Sequence, residues 1–308
     1  MTYHNIISLS HTEASFLTTL AASGKRIFAT KDGYDVLGEG RSARDTLARL
    51  VAKGWLDRIE KGKYLIVPLE AGPDRTWTED AHVIAGHLVS PSMVSYWSAL
   101  SYWNLTEQVP RVTCVQTTAR KENRRPRVLG MRFRIVRVKP RKFFGSHGYR
   151  AGESHVEVTD REKTIVDCLD RPDLSGGLDQ VAKALLSGDG DFDWDRTTRY
   201  LRRFRSGAVV KRYGFLVEAL GLTHPPESAM LDEWLDLRTA GISKLDPSTP
   251  RKPHRIATRW GIGVNLPEEG HLGRKCPTPA VSPPCRASTA RPPRPAPGGS
   301  PPSRPPVR

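Results

Sequence analysis

Three features of the chain predict an α+β protein: an N-terminal winged helix-turn-helix, a larger mixed α+β domain, and a disordered Pro/Arg-rich tail. The first is the stretch Arg41–Tyr64, RSARDTLARLVAKGWLDRIEKGKY, which reads as a recognition helix running into a β-hairpin. The second is a middle portion in which strand-like alternation gives way to helical spacing. The third is a break in composition near Gly270: residues 271–308 hold 12 prolines, seven Lys/Arg and no acid. The domains are set at residues 1–70, 77–267 and 268–308.

Residues 11–23, HTEASFLTTLAAS, predict a first helix with Phe16, Leu17 and Leu20 as its apolar stripe. Ile27–Thr30 reads as a short strand and Tyr34–Leu37 as a weak second helical element. In the helix that follows, Ala43, Leu47, Leu50 and Val51 fall at i, i+4, i+7 and i+8, one face turned to a core. The opposite face carries Ser42, Asp45, Thr46, Arg49 and Lys53, with Arg41 and Arg44 near the N-terminal end. Gly54 supplies the left-handed residue that ends a helix. Trp55–Ile59 and Lys63–Val67 then flank the turn Glu60-Lys61-Gly62, with Lys61 and Lys63 at the tip of a wing. This order of elements fits a winged helix whose recognition helix enters the major groove while the wing meets phosphates. Arg41, Ser42, Arg44, Asp45, Thr46, Arg49, Lys61 and Lys63 are the expected DNA contacts, with Arg44 or Thr46 at base edges. An ordinary helix-and-hairpin corner with a solvated charged face has the same pattern, and winged helices also serve as protein-docking modules.

The net charge of +15 and the pI near 9.9 favour a polyanionic partner. The excess is concentrated in residues 111–150, where 13 Lys/Arg face one acid, Glu122. There Val112–Thr118 reads as a strand, Arg120–Arg127 as a basic loop, and Val128–Val138 as a half-buried strand with arginines on one face. Arg120, Lys121, Arg124, Arg125, Arg127, Arg132 and Arg134 form either a second anion-binding surface or a solubilising face. Glu79–Leu88 and a stretch from Ser92 through Trp103 read as helices, the aromatics of the second as core.

Residues 156–171 read as a strand entering a helix, with Thr159 as N-cap, Glu162 completing a capping box, and Asp167 without a role. Asp189, Asp191, Asp193 and Asp195 resemble the start of a calcium loop, but Trp194 stands where glycine is needed and Tyr200 where glutamate is needed. Asp195 is instead expected to cap a basic helix over Arg196–Arg205, and Val209–Leu220 and Ala229–Leu237 add two more.

Enzyme chemistry has no defensible constellation: there is no Walker loop, no G-x-S-x-G and no H-E-x-x-H. Cys114, Cys168, Cys276 and Cys285 form no C-x-x-C pair, so no metal, cofactor or disulfide framework is expected. The absence of a long apolar run or signal-peptide pattern predicts a cytoplasmic protein without a membrane partner.

The stretches LARLVAKGWLDRIEKGKYLIVP (residues 47–68), VSYWSALSYWNL (94–105), VEVTDREKTIVDCLDRPDLSGGLDQVAKAL (156–185) and TRWGIGVNLP (258–267) resemble, in order and spacing, the AbiEi family of antitoxins from type IV toxin–antitoxin (abortive-infection) systems. The resemblance runs over roughly residues 10–267. It implies a winged helix that binds inverted repeats in double-stranded DNA upstream of its own operon. It also implies an α+β C-terminal domain that counteracts a nucleotidyltransferase-like toxin without a stable complex. The proline-rich tail departs from the family pattern. The competing readings are a winged-helix protein-interaction module or regulator with no toxin, and a nuclease or nucleotidyltransferase built on the C-terminal domain.

Overall fold

Ser10 opens the fold. In the computed structural model, which describes residues 8–71, 79–152 and 154–266, Ser10 caps α1 (His11–Ala22), and the Glu13 carboxylate accepts the Ser10 N–H in return. There follow β1 (Ile27–Ala29), α2 (Thr30–Leu37), α3 (Arg41–Ala52), β2 (Leu56–Glu60) and β3 (Lys63–Ile66). β1 pairs antiparallel with β3, and β3 with β2, which completes a winged helix. Its core joins Phe16, Leu17 and Leu20 of α1 to Phe28, Leu47, Leu50 and Leu56. α2 is longer than the 34–37 fragment the sequence predicts, because Asp32 turns back to accept the Ala29 N–H and so fixes its first turn.

Glu13 does more than close its own cap. Its side chain is 1% exposed and lies 2.6 Å from the Lys53 ammonium and 3.5 Å from the Arg49 guanidinium, tying the start of α1 to the end of α3. The Lys53 bond, then the Ser10 N–H, pull the carboxyl from 4.5 down to about 2.

Beyond the winged helix come α4 (Ala81–Leu88), β4 (Met93–Val94), α5 (Trp97–Tyr102), β5 (Thr113–Thr117), β6 (Arg127–Val128), β7 (Met131–Arg137), β8 (Ser146–Ala151) and β9 (Ser154–Thr159). Six of these strands form a mixed sheet of order β6-β7-β5-β4-β9-β8. Five helices follow: α6 (Arg161–Asp170), α7 (Leu178–Ser187), α8 (Trp194–Phe204), α9 (Gly207–Leu220) and α10 (Ser228–Asp236). A small second sheet, β10 (Ser243–Lys244), β11 (Arg255–Ala257) and β12 (Ile262–Val264), closes the described chain with order β10-β12-β11. The tail, residues 268–308, lies outside the described residues.

The six-stranded sheet is covered on both sides. Val115, Phe133, Ile135, Val156 and Val158 pack with Val83, Ile84 and Leu88 of α4 and with Ile27, Ile59 and Leu65 of the winged helix. On the other side Tyr96 and Cys114 join a core built from α6 to α10. The described residues therefore belong to one unit. α6 is buried at every position from Glu162 to Leu169, so the ion pair between its own side chains is internal. The Lys163 ammonium and the Asp167 carboxylate lie 2.5 Å apart at i and i+4. Burial pushes the Asp167 carboxyl up, and Lys163 pulls against that shift. Asp167 thus acquires a role that the sequence did not disclose.

Several expected elements are corrected. Met93 and Val94 form a strand between β5 and β9 where a helix was expected from Ser92; pairing with both neighbours overrides the helical spacing. Asp160, not Thr159, caps α6 by accepting the Lys163 N–H at 2.8 Å, while the Thr159 hydroxyl is bonded to Thr164. Glu162 reaches α8 instead of closing a box, accepting the Asp193 N–H at 2.9 Å. Asp193, not Asp195, caps α8. The second small sheet was not foreseen, since strands of two or three residues carry no readable period.

Trp260 lies across α9 at Gly214, where an added Cβ would sit 2.2 Å from the indole ring. The Trp260 N–H is held by Glu218 at 2.7 Å, so the ring is fixed on both sides. Gly214→Ala is expected to destabilise the protein by about 2 kcal/mol through overpacking, measured by urea unfolding; an unchanged midpoint would show that the ring yields freely. The Glu13 shift has a signed consequence. Its folded carboxyl titrates below its unfolded value, so the stabilisation is complete above pH 4.5 and is lost as pH falls toward about 2. Glu13→Gln should lower the melting temperature at pH 7 and flatten the acid limb between those pH values, read by thermal melts across pH.

Candidate nucleic-acid interface

α3 is presented by a glycine turn. Gly38 and Gly40 both have positive φ, 78° and 130°, and let the chain reverse tightly between α2 and α3. The helix buries Ala43, Thr46, Leu47 and Leu50 and leaves Arg41, Ser42, Arg44, Asp45 and Arg49 exposed. Arg41 and Arg44 stand on its first turns, beside the unsatisfied N–H groups of the helix start, where both charge and dipole attract an anion. The Arg44 Nε donates to the Tyr34 hydroxyl at 3.2 Å, which aims the guanidinium from α2.

Thr46 is corrected. It is 3% exposed, and its hydroxyl donates to the Ser42 carbonyl at 2.9 Å and accepts from Arg49 at 2.9 Å. It lies three residues after Ala43 and four before Leu50, on the buried stripe, so it cannot reach a base. Arg49 is half engaged, tied to Thr46 and Glu13 while more than half its side chain is exposed.

The wing turns at Lys61-Gly62, and Gly62 has φ of 76°. The Gly62 carbonyl accepts the Thr30 N–H at 2.8 Å, which anchors the tip to the start of α2. Lys61 is exposed at that tip. Lys63 is not a tip residue: its ammonium donates to the His87 carbonyl at 2.5 Å and lies 3.0 Å from the Glu60 carboxylate. It satisfies a carbonyl in the last turn of α4 and points into the junction with the rest of the chain. Lys121, assigned from the sequence to a free basic surface, is paired with the other oxygen of Glu60. Burial pushes the Glu60 carboxyl up, but the Lys121 and Lys63 bonds outweigh it and hold the group below its usual range.

Of the remaining basic residues, Arg120, Arg124, Arg125, Arg127 and Arg132 are exposed, and Arg134 is partly covered at 3.6 Å from Asp173. β6 lies against β2, so this basic segment adjoins the wing. Arg111 was not picked out from the sequence; it borders the same surface from the loop before β5. Its neighbours Pro110 and Val112 gave no periodic signal that would have placed it there.

The acids that imitate metal ligands have structural work. Asp189 accepts the N–H groups of Thr223 and His224, Asp191 faces Arg161, and Asp193 caps α8. Among the described residues no group of His, Cys, Asp and Glu is arranged to hold a metal ion. None of the described helices is long and apolar enough to cross a membrane. Burial pushes the Cys114 thiol up to about 11, so it is no nucleophile at neutral pH.

The fold has a solved counterpart. The crystal structure of the RV2827C protein from Mycobacterium tuberculosis aligns with 83% of this chain and 92% of its own, with a TM-score of 0.56 at 15% identity, a likeness of fold. No curated protein sequence matches the chain. Residues 15–67, from α1 to the end of the wing, match the family model described as "Transcriptional regulator, AbiEi antitoxin". By that match the winged helix, residues 15–67, is similar to the DNA-binding segment of AbiEi antitoxin transcriptional regulators.

Proposed function

We propose that the chain represses its own operon through the winged helix and counteracts a nucleotidyltransferase-like toxin through residues 77–267. The observation that carries the DNA half is the grouping of Arg41, Ser42, Arg44 and Asp45 on the exposed start of α3, with Lys61 at the wing tip. Arg44, aimed by Tyr34, is the proposed base reader, since a guanidinium forks onto guanine. Asp45 excludes mismatched acceptors beside it, Ser42 and Arg41 hold phosphate, and Lys61 holds the phosphate across the groove. Lys63 and Thr46 are left out, one paired in the junction and the other buried. Inverted repeats would seat two copies, one recognition helix in each half-site. The toxin half is supported by the likeness of residues 15–67 to the AbiEi antitoxin regulators and by the large α+β portion that follows the winged helix.

The test is a gel-shift titration of the full chain on DNA from its own upstream region, with unrelated DNA as competitor. Arg44→Ala should lose about 1–3 kcal/mol of discrimination and bind both DNAs alike, whereas Lys61→Ala should weaken all sequences together and reduce the salt slope by about one. Lys63→Ala should leave the specificity intact. Equal binding of the wild-type chain to both DNAs would refute the operator reading. For the toxin half, co-expression with a nucleotidyltransferase-like toxin encoded beside this chain's gene, the neighbour this reading requires, should rescue growth; rescue lost on deleting residues 77–267 is the expected result, and rescue by that deletion variant would refute it.

A further inference from the structure

The β6–β7 hairpin brings like charges face to face. Leu129 and Gly130, both with positive φ, make a two-residue turn, and Val128 pairs with Met131 beside it. Arg127 then stands directly opposite Arg132. The bonds from Phe133 N–H to the Pro126 carbonyl and from Ile135 N–H to the Arg124 carbonyl continue that alignment, so Arg125 stands opposite Arg134. These are the non-hydrogen-bonded positions, where side chains are closest and like charges destabilise. Four arginines thus share one face of a strand pair whose other face, with Val128, Phe133 and Ile135, is core.

That face does not look into open solvent alone. It lines a cavity of about 630 Å³ together with Arg111 and the apolar side chains of Trp97, Val109, Val112 and Leu174. The cavity holds one acid, Asp173, and Arg171 already grips both oxygens of that carboxylate at 2.8 and 2.7 Å. Among the described residues, the side chains of Arg111, Arg125, Arg127 and Arg132 have no ion-pair or hydrogen-bond partner. The lysines of the same segment are used differently: Lys121 pairs with Glu60 and Lys142 with Asp170. Every cation lining the cavity is arginine, the side chain whose planar fork matches phosphate oxygens.

A solvated basic face accounts for none of this, because it would intersperse signs and keep like charges apart. A duplex does not fit a cavity of this size, which falls in the range of small-molecule sites. The geometry points to a site for a nucleoside 5′-triphosphate, its phosphates on the arginine face and its nucleoside against the Trp97–Leu174 wall. Four charges on the triphosphate match the four unpartnered guanidinium groups and relieve their repulsion. The same chemistry is carried by a free nucleotide and by the 5′-triphosphate end of an RNA strand. This site is independent of operator binding by α3.

The test is calorimetric titration of the full chain with ATP, GTP, inorganic triphosphate, and a short RNA bearing either a 5′-triphosphate or a 5′-hydroxyl. Saturable binding of a nucleoside triphosphate is expected, weakened on the order of tenfold or more in Arg127→Ser/Arg132→Ser. Because that variant removes a like-charge pair, its melting temperature without ligand should equal or exceed that of the wild type, and its ligand-induced rise should vanish. Arg132→Lys keeps the charge without the fork and should also bind several-fold less tightly. Preference for free nucleotide over triphosphorylated RNA assigns the first source, the reverse order the second. Binding of inorganic triphosphate as tightly as ATP would remove the nucleoside wall and overturn the assignment. So would no saturable binding at low salt, or equal binding by the double variant. Operator DNA should shift unchanged with the double variant; a parallel loss would make these arginines part of the duplex footprint and overturn a separate site.

Discussion

The six-stranded sheet has two apolar faces, and neither can be left to water. Helices α6 to α10 cover one, and α4 with the underside of the winged helix covers the other. Burial of several large side chains on each face, at roughly 25 cal/mol per Å², is the largest favourable contribution available to a chain of this size. The winged helix is therefore a layer of the molecule as well as a recognition module. Ile27, Ile59 and Leu65 face the second core from its strands, while Phe28 and Leu56 face its own. The alternation along β1, β2 and β3 serves both sides of the small sheet.

Charge is distributed by the same logic. Three buried carboxylates have a cation: Glu13 has Lys53 and Arg49, Glu162 has Arg196, and Asp167 has Lys163; Asp160 is held by the Tyr200 hydroxyl and the Lys163 N–H instead. Removing one partner of the Lys163–Asp167 pair, buried on both sides, costs about 3–5 kcal/mol, because the survivor is stranded in a medium that cannot solvate it. The arginines of the β6–β7 hairpin are the exception, cations crowded together with the nearby acid already taken. Interior charge is satisfied by an ion pair or, at Lys211 and Arg212, by backbone carbonyls; the unsatisfied cleft charge is what distinguishes a surface awaiting an anion from a structural network.

Much of this was legible in the sequence. Helix α3, the wing hairpin and most of α9 follow from apolar spacing and turn residues, since a long amphipathic element declares its period. Thr46 was legible as well, for it sits on the Ala43–Leu50 stripe, although its polar side chain drew it to the wrong face. What spacing could not show is pairing across the chain. Nothing local says that Lys63 reaches α4, that Lys121 shares its carboxylate, or that Met93 and Val94 complete a sheet. Asp160 and Asp193 displaced the expected caps because one residue decides which side chain meets the helix N–H groups, and periodicity does not resolve one residue. The cleft needed the hairpin register, which a run of arginines does not specify.

Glu60 serves two masters. Its oxygens are divided between Lys63, which belongs to the wing, and Lys121, which belongs to the basic segment. A polyanion that draws Lys121 away leaves Glu60 to Lys63 alone, and one that draws Lys63 away releases the carbonyl of His87 as well. One carboxylate therefore fastens the wing to the basic segment through two cations, and its loss would unfasten both at once.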